Sequence, residues 1–226
     1  LLHALHADIE KNGGRIILNS PVSKVVIEND RVTGVETSGS VEYFDKVIST
    51  VPLPYVSRLI PELPSEIIEK LNSVHNIAVV CIIVKLKKPL TGTFWLNIND
   101  PEMDIPGLVE YTNLRSLDKH IVYVPFYMPG DHPKYGDDDQ VFLDKVRRYL
   151  KVINKDLTDE DFIELRASRY RFAQPICEPG FLSKLPPVRL PIKGLWVADT
   201  SYYYPEDRGI SESIDFGRSL ARSVIQ

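Results

Sequence analysis

The chain has 226 residues, a formal net charge of −4 and 43% hydrophobic residues, which suits one or two globular domains with a real core. The mild acidity and the lack of any Lys/Arg-rich run argue against nucleic-acid binding, and the longest apolar run, residues 77–84, is too short to span a bilayer. Cys81 and Cys177 make no disulfide framework, no CxxC, HExxH or Cys/His cluster suggests a metal, and a reduced, cytoplasmic setting is expected.

In chain order, Leu1, Leu2, Leu5 and Ile9 follow helical spacing up to the stop signal Asn12-Gly13-Gly14. There is no Met and no basic leader before them, so the expectation is a chain cut from something longer. Residues 15–18 read as a short apolar strand. Alternation over 22–27 and 32–37 around the turn "ENDR", with further strands at 41–44 and 46–49, predicts a meander from Pro21 to Ser49. "TVPLP" breaks the pattern. Helices over 55–60 and 65–71 follow, the second with Ser65 as its cap and Glu66 in its first turn.

The middle of the chain predicts strands over 77–86, 93–98, 108–112, 121–128 and 162–172, and a helix from Asp137-Asp138-Asp139 to about Val152. Those aspartates suit a helix start better than a metal. "KLPPVRLPIKG" leads to a short strand at 195–198. The last helix carries the stripe Ile210, Ile214, Gly217, Ala221 and Val224, whose two small residues would let it press close to a sheet. The expected fold class is α/β. One domain is built from both chain ends, 1–60 and 186–226, and a mostly antiparallel α+β domain, 61–185, is inserted between them.

Residues 195–198 are wholly apolar, as a strand buried on both faces should be. Ligands in open α/β sheets sit beyond the carboxyl ends of such strands, where Asp199 stands. Its carboxylate either accepts hydrogen bonds from sugar or polyol hydroxyls or caps a turn. Gly209 allows close backbone approach, and the helix that follows offers unpaired N–H groups to an anion or a partly negative oxygen. Arg208 pairs with a phosphate or with Glu206 or Asp207.

The stretch "GLWVADTSYYYPEDRGISESIDFGRSLA" resembles the C-terminal flavin-binding motif of the amine-oxidase and protoporphyrinogen-oxidase-like flavoproteins, of which UDP-galactopyranose mutases are relatives. The opening "LLHALHADIEKNGGRIILNSPVSKVVIENDRVTGVETSGSVEYFDKVISTVPLP" resembles the same family's helix–strand–meander segment. In the middle block "TFWLNI", "LVEYTN" and "RYRFAQP" fit in outline. The resemblance implies FAD on a two-domain fold, with a partial Rossmann-like domain and a substrate domain. It implies that Val22 meets the adenine, that Thr50 lies near the adenosine and pyrophosphate, and that Asp199 binds the ribityl chain or the neighbouring diphosphate. Gly209, Ile210 and Ser211, with Arg208 before them, match the helix entrance at the flavin pyrimidine edge. Ala198 stands where the family usually has Gly.

The implied activity is transfer of a hydride or electrons from a C–N or C–C bond of a small-molecule substrate to the flavin, with no catalytic acid or base fixed in this part of the chain. Among the aromatics of the middle block, Trp95 and Tyr127 are candidates for substrate contact, and Tyr203 is another within the run Tyr202–Tyr204. Arg169 and Arg171 alternate on one strand and so share a face. They either hold an acidic or phosphorylated substrate or form surface salt bridges. The family's G-x-G-x-x-G fingerprint is absent from the sequence, so the chain is expected to be part of a larger flavoenzyme, inactive alone and holding FAD weakly or not at all. Two alternatives stand beside this reading: a flavin-dependent nucleotide-sugar mutase with Arg169 or Arg171 on the diphosphate, and a non-catalytic binding remnant.

Overall fold

The computed structural model describes residues 1–225. The chain opens with helix α1 (Leu2–Lys11), strands β1 (Val22–Glu28), β2 (Arg31–Thr37), β3 (Ser40–Tyr43) and β4 (Val47–Ser49), and helices α2 (Leu53–Leu59) and α3 (Ser65–Ser73). Strands β5 (Asn76–Leu86), β6 (Trp95–Asn97), β7 (Gly107–Glu110) and β8 (His120–Pro129), helix α4 (Asp139–Ile153) and strand β9 (Phe162–Pro175) follow. Helix α5 (Phe181–Lys184), strand β10 (Leu195–Val197) and helix α6 (Ile210–Ile225) complete the chain. Among the described residues no helix is long and apolar enough to cross a membrane.

These elements form two compact units. A terminal unit takes Leu1–Val74 together with the chain from Glu178 on, and a central unit takes His75–Cys177. The divisions fall after Val74 and Cys177 rather than at the expected 60/61 and 185/186. The reason is packing: Ile67 and Leu71 of α3, Val74 and Phe181 are buried in the same cluster as Val25 of β1, Leu53 of α2 and Leu195 of β10. Apolar side chains follow the core that removes them from water, whatever break the prolines suggest.

In the terminal unit β1, β2 and β3 form an antiparallel meander. The fourth expected meander strand does something else. β4 leaves the meander and pairs in parallel with β10, Val47 opposite Leu195 and Ser49 opposite Val197. The two partners are far apart in sequence, so no local pattern reveals the pairing. β10 is buried on both faces, as its composition predicts: Leu195 and Val197 enter one cluster, Trp196 and Ala198 the other, against Leu220. The period of two in a strand delivers that split.

Three further expectations are corrected here. Residues 15–18 join no ladder, because no neighbouring strand offers them backbone partners; Ile16, Ile17 and Leu18 are exposed. Pro64, not Ser65, is the N-cap of α3, without a side-chain cap bond. On α6 the inward stripe is Leu220, which is buried, with Phe216 and Val224 partly buried beside it, since the bulkier residues fill the space beside Trp196. Ile210 and Ile214 are exposed, and a Cβ on Gly217 would meet nothing, so the small residues press against no sheet.

The central unit is an antiparallel sheet of order β6-β7-β8-β5-β9. Ala78, Val80, Ile82, Val84 and Leu86, one face of β5 between β8 and β9, are fully buried. Phe142, Val146, Tyr149 and Leu150, spaced to lie on one side of α4, belong to the cluster that covers that face. Asp138 caps α4 by accepting the Gln140 N–H at 2.8 Å, as the aspartate run predicts. Glu110, at the end of β7, is fully buried and accepts three hydrogen bonds, from Leu90 N at 2.9 Å, Thr91 N at 2.7 Å and Thr91 Oγ1 at 2.9 Å. Those donors satisfy the buried carboxyl oxygens.

Candidate functional site

The carboxyl ends of the parallel pair β4–β10 hold the densest polar arrangement of the terminal unit. Ala198 N donates to Ser49 O at 2.9 Å, continuing the ladder. The chain then turns at Asp199, whose extended backbone starts a 3₁₀ turn over Thr200–Tyr203. Asp199 Oδ1 accepts from Ser201 N at 2.8 Å, and Oδ2 accepts from Leu53 N at 2.9 Å, at the first residue of α2. One carboxylate therefore ties the end of β10 to the turn after β4. The capping role is realised, and each oxygen keeps a second lone pair. Thr50, next to Ser49, is exposed.

Two side chains that the sequence reading passed over belong to these strand ends, Ser201 two residues after Asp199 and Ser49 paired with Val197. Ser49 Oγ and Ser201 Oγ are buried and have no hydrogen-bond partner among the described residues. Buried hydroxyls are rarely left this way. A signal for them was present in the sequence: both apolar runs end near a hydroxyl pair, Ser49-Thr50 and Thr200-Ser201.

The tyrosine run turns the chain toward α6. Tyr202 donates its hydroxyl to Pro186 O at 3.0 Å and stacks on Phe216, ring centroids 5.9 Å apart. Burial, and secondarily the negative charge of Asp199, push its phenol well above the usual range. Tyr203 donates to Ser213 Oγ at 3.1 Å, which donates in turn to Gly209 O at 2.8 Å. Tyr204 is half-exposed and meets Phe181 edge-on. At the α6 entrance Arg208, Ile210 and Ser211 are exposed. Gly209 is not open: a Cβ there would fall 1.9 Å from Glu212 Oε2. The Glu212 carboxylate folds back over the positive end of its own helix.

Val22 begins β1, opposite Thr37, on the meander. It borders a cavity of about 350 Å³ with Ile17, Val35 and Phe44, beside an ion pair in which Arg15 Nη2 lies 3.0 Å from Glu42 Oε2.

The remaining candidates belong to the central unit, and the register divides them. Opposed residues of an antiparallel pair share a face. Trp95 faces Val109, which faces Tyr123, which faces Ile83; Tyr127 faces Val79, which faces Tyr170. Trp95, Tyr123, Tyr127 and Tyr170 thus stand together on the face away from α4, all exposed. Arg169 is opposite the fully buried Val80 and lies on the α4 side, its guanidinium 5.6 Å from the Phe142 ring centroid. There it donates to Asp139, to Asp137 O at 2.5 Å and to Tyr135 O at 3.2 Å. Arg171 is exposed, with its stem close to Gly130. Arg169 and the aromatic candidates are therefore not on one surface.

The architecture is that of oxidoreductases of known structure. An oxidoreductase from Methanosarcina mazei is 21% identical with a TM-score of 0.65, over 88% of this chain and 47% of its own. A structure provisionally assigned as a protoporphyrinogen oxidase, from Exiguobacterium sp. 255-15, is 16% identical with a TM-score of 0.76, over 99% of this chain and 50% of its own. A reduced UDP-galactopyranose mutase is 16% identical with a TM-score of 0.54, over 72% of this chain and 36% of its own. The chain thus spans half or less of the length of these structures. No curated protein matches it. The sequence profile of the flavin containing amine oxidoreductases matches residues 1–201, and the chain belongs to that family.

Proposed function

We propose that this chain is the C-terminal part of an FAD-dependent oxidoreductase that passes a hydride or electrons from a small-molecule substrate to the flavin. The observation that carries the reading is the polar cluster at the ends of β4 and β10. Ser201, two residues after the Asp199 carboxylate with its spare lone pairs, and Ser49, paired with Val197 and followed by the exposed Thr50, are two orphaned buried hydroxyls. That donor and acceptor set fits a hydroxyl-rich and diphosphate-bearing ligand, and membership of a flavin-containing family supplies the class.

In this reading the terminal unit is one wall of the FAD site. Asp199 accepts from ribityl hydroxyls, Thr50 lies toward the diphosphate, and Val22 borders the adenine in the cavity on the meander. Arg208, Gly209, Ile210 and Ser211 present the α6 entrance to the flavin ring, which requires the Glu212 carboxylate to swing away from it. FAD supplies the two-electron chemistry when bound. The protein's residues orient it and hold the charge around it. In the central unit Trp95 and Tyr127, with the neighbouring tyrosines, offer flat apolar area to a substrate on an open sheet face; in the terminal unit Tyr203, bonded to Ser213, is a separate candidate. Arg169 is engaged by Asp139 and two carbonyls, which favours Arg171 as the cation available to an acidic substrate and weakens the mutase reading.

No G-x-G-x-x-G stands in the sequence, so a βαβ element with that turn completes the site, on the same polypeptide or on a second one. The 226-residue chain alone then holds FAD weakly. The test is flavin absorbance in two preparations. The chain joined to its dinucleotide-binding element carries close to one FAD, and Asp199→Ala lowers its FAD affinity by about tenfold. An assembled protein without flavin sinks the oxidoreductase reading; stoichiometric FAD on the 226-residue chain alone sinks the need for a completing element.

A further inference from the structure

The opposite ends of the same two parallel strands carry a second polar arrangement that the flavin reading does not use. A groove of about 210 Å³ there is lined by Arg31, Lys46, Arg189, Lys193 and Trp196, with Asp45 as the one acidic residue among its lining. Four cations from three segments converge on it, in a chain whose net charge is −4. Like charges gathered this way repel one another unless an anion joins them.

The backbone holds them in place. Lys193 N donates to Asp30 O at 2.9 Å and Val32 N to Lys193 O at 3.0 Å, which fixes Lys193 beside Arg31. Gly194 has φ +83°, and a Cβ on it would lie 2.5 Å from Asp45 O; only glycine lets the entrance of β10 meet the entrance of β4 so closely. Val197 N donates to Val188 O at 2.8 Å and Leu190 N to Leu195 O at 3.1 Å, setting Arg189 opposite Trp196. The Arg189 guanidinium lies 5.7 Å from the Trp196 ring centroid, and that ring is buried.

Local acids do not neutralise the cluster. Asp45, 92% exposed, stands 3.7 Å from Arg31, a weak surface pair. Lys46 Nζ is turned to the carbonyl of Val224 at the negative end of α6. Neither Arg189 nor Lys193 has a carboxylate partner among the described residues. A planar guanidinium and an ammonium on rigid backbone, with Arg31 beside them, match the oxygens of a phosphate, which an arginine fork takes two at a time.

We propose that this groove binds a phosphate group, either of a free phosphate or diphosphate compound or of an anionic lipid headgroup. The site is independent of the flavin wall, which lies at the carboxyl ends of β4 and β10.

Isothermal titration of the 226-residue chain with inorganic phosphate and pyrophosphate tests the first source. Flotation with phosphatidylcholine vesicles, with and without phosphatidylserine, tests the second. Saturable binding of pyrophosphate that weakens with added salt, or flotation that requires phosphatidylserine, supports the site and names its source. In either arm Arg189→Gln with Lys193→Gln lowers binding by about tenfold or more, while Lys11→Gln on α1 leaves it unchanged. Should loss of the Arg189–Trp196 contact disturb folding, Lys193→Glu, on an exposed side chain, carries the same test. Absence of binding in both arms, or equal binding by the charge-removed variants, overturns the proposal.

Discussion

The two units solve the burial problem differently. In the central unit α4 covers one face of a five-stranded sheet, and the cluster beneath it takes in Val80, Ile82, Val84 and Leu86 of β5. The terminal unit divides its apolar residues between two clusters and leaves others in water. α1 buries none of its residues, residues 15–18 pair with no strand, and Ile210 and Ile214 of α6 are exposed. The central unit closes its core under α4 and leaves aromatics exposed on the far sheet face; the terminal unit leaves apolar residues of several segments unfilled. The chain offers a clean reporter of this contrast, since its two tryptophans divide between the units, Trp95 in the central and Trp196 in the terminal one.

The largest expected effect lies in the closed unit. Phe142 is almost fully buried, with its ring 5.1 Å from that of Phe126. Phe142→Ala removes an aromatic from a core with no room to collapse and costs about 3–5 kcal/mol. Followed in urea, the transition seen by Trp95 moves and that seen by Trp196 does not. If both move together, the two units unfold as one and the contrast is broken. Glu110→Ala comes next, at about 3 kcal/mol, because it strands the buried amides of Leu90 and Thr91; it too is read through Trp95.

What the sequence revealed follows the same division. The central strands were legible because residues 77–84 are apolar throughout and 121–128 alternate, patterns that short-range physics produces. The meander was legible through its turns. The pairing of β4 with β10 was not, because three-residue parallel strands carry no register signal of their own. Nor was the inward stripe of α6, where two apolar faces compete and the choice depends on Trp196. At the site, Asp199 was visible as a lone acid after a buried strand, whereas its bond to Leu53 N was hidden by the same long separation. Glu110 gave no warning, since a glutamate ending a strand reads as solvent-facing until its three donors are in place.

Asp199→Ala is expected to cost about 1–2 kcal/mol, the value of a lost cap, with the terminal unit's Trp196 as probe. Asp199→Asn, which keeps an acceptor oxygen, costs less. An unchanged Trp196 transition in the alanine variant would show that the turn after β4 holds without this carboxylate.

A smaller effect depends on pH and belongs to the central unit. Burial raises the pKa of Asp104, but hydrogen bonds from Lys145, Tyr149 and Lys134 outweigh it and hold the carboxyl far below its usual range. The folded value is depressed, so the stabilisation is complete above the unfolded value near pH 4 and is lost as pH falls toward the folded value. Between about pH 4 and pH 2 the parent therefore loses stability more steeply than Asp104→Asn does, and matching slopes in urea melts over that window would remove Asp104 from the account.

The smallest effect is the most diagnostic of the contrast. Leu5 stands on the apolar stripe of α1, and periodicity alone would place it in a core, where Leu→Ala costs about 2–5 kcal/mol. In this chain it is 47% exposed on a helix with no buried residue. Leu5→Ala should therefore change stability by about 0.5 kcal/mol or less, helped by the better helix propensity of alanine. A loss above about 2 kcal/mol would mean that α1 is packed within this chain and that the terminal unit is closed after all. The same substitution becomes informative in the other direction once a completing βαβ element is present. If that element covers the stripe, Leu5→Ala weakens its attachment while leaving the isolated chain untouched, which separates a surface awaiting a partner from one that water simply tolerates.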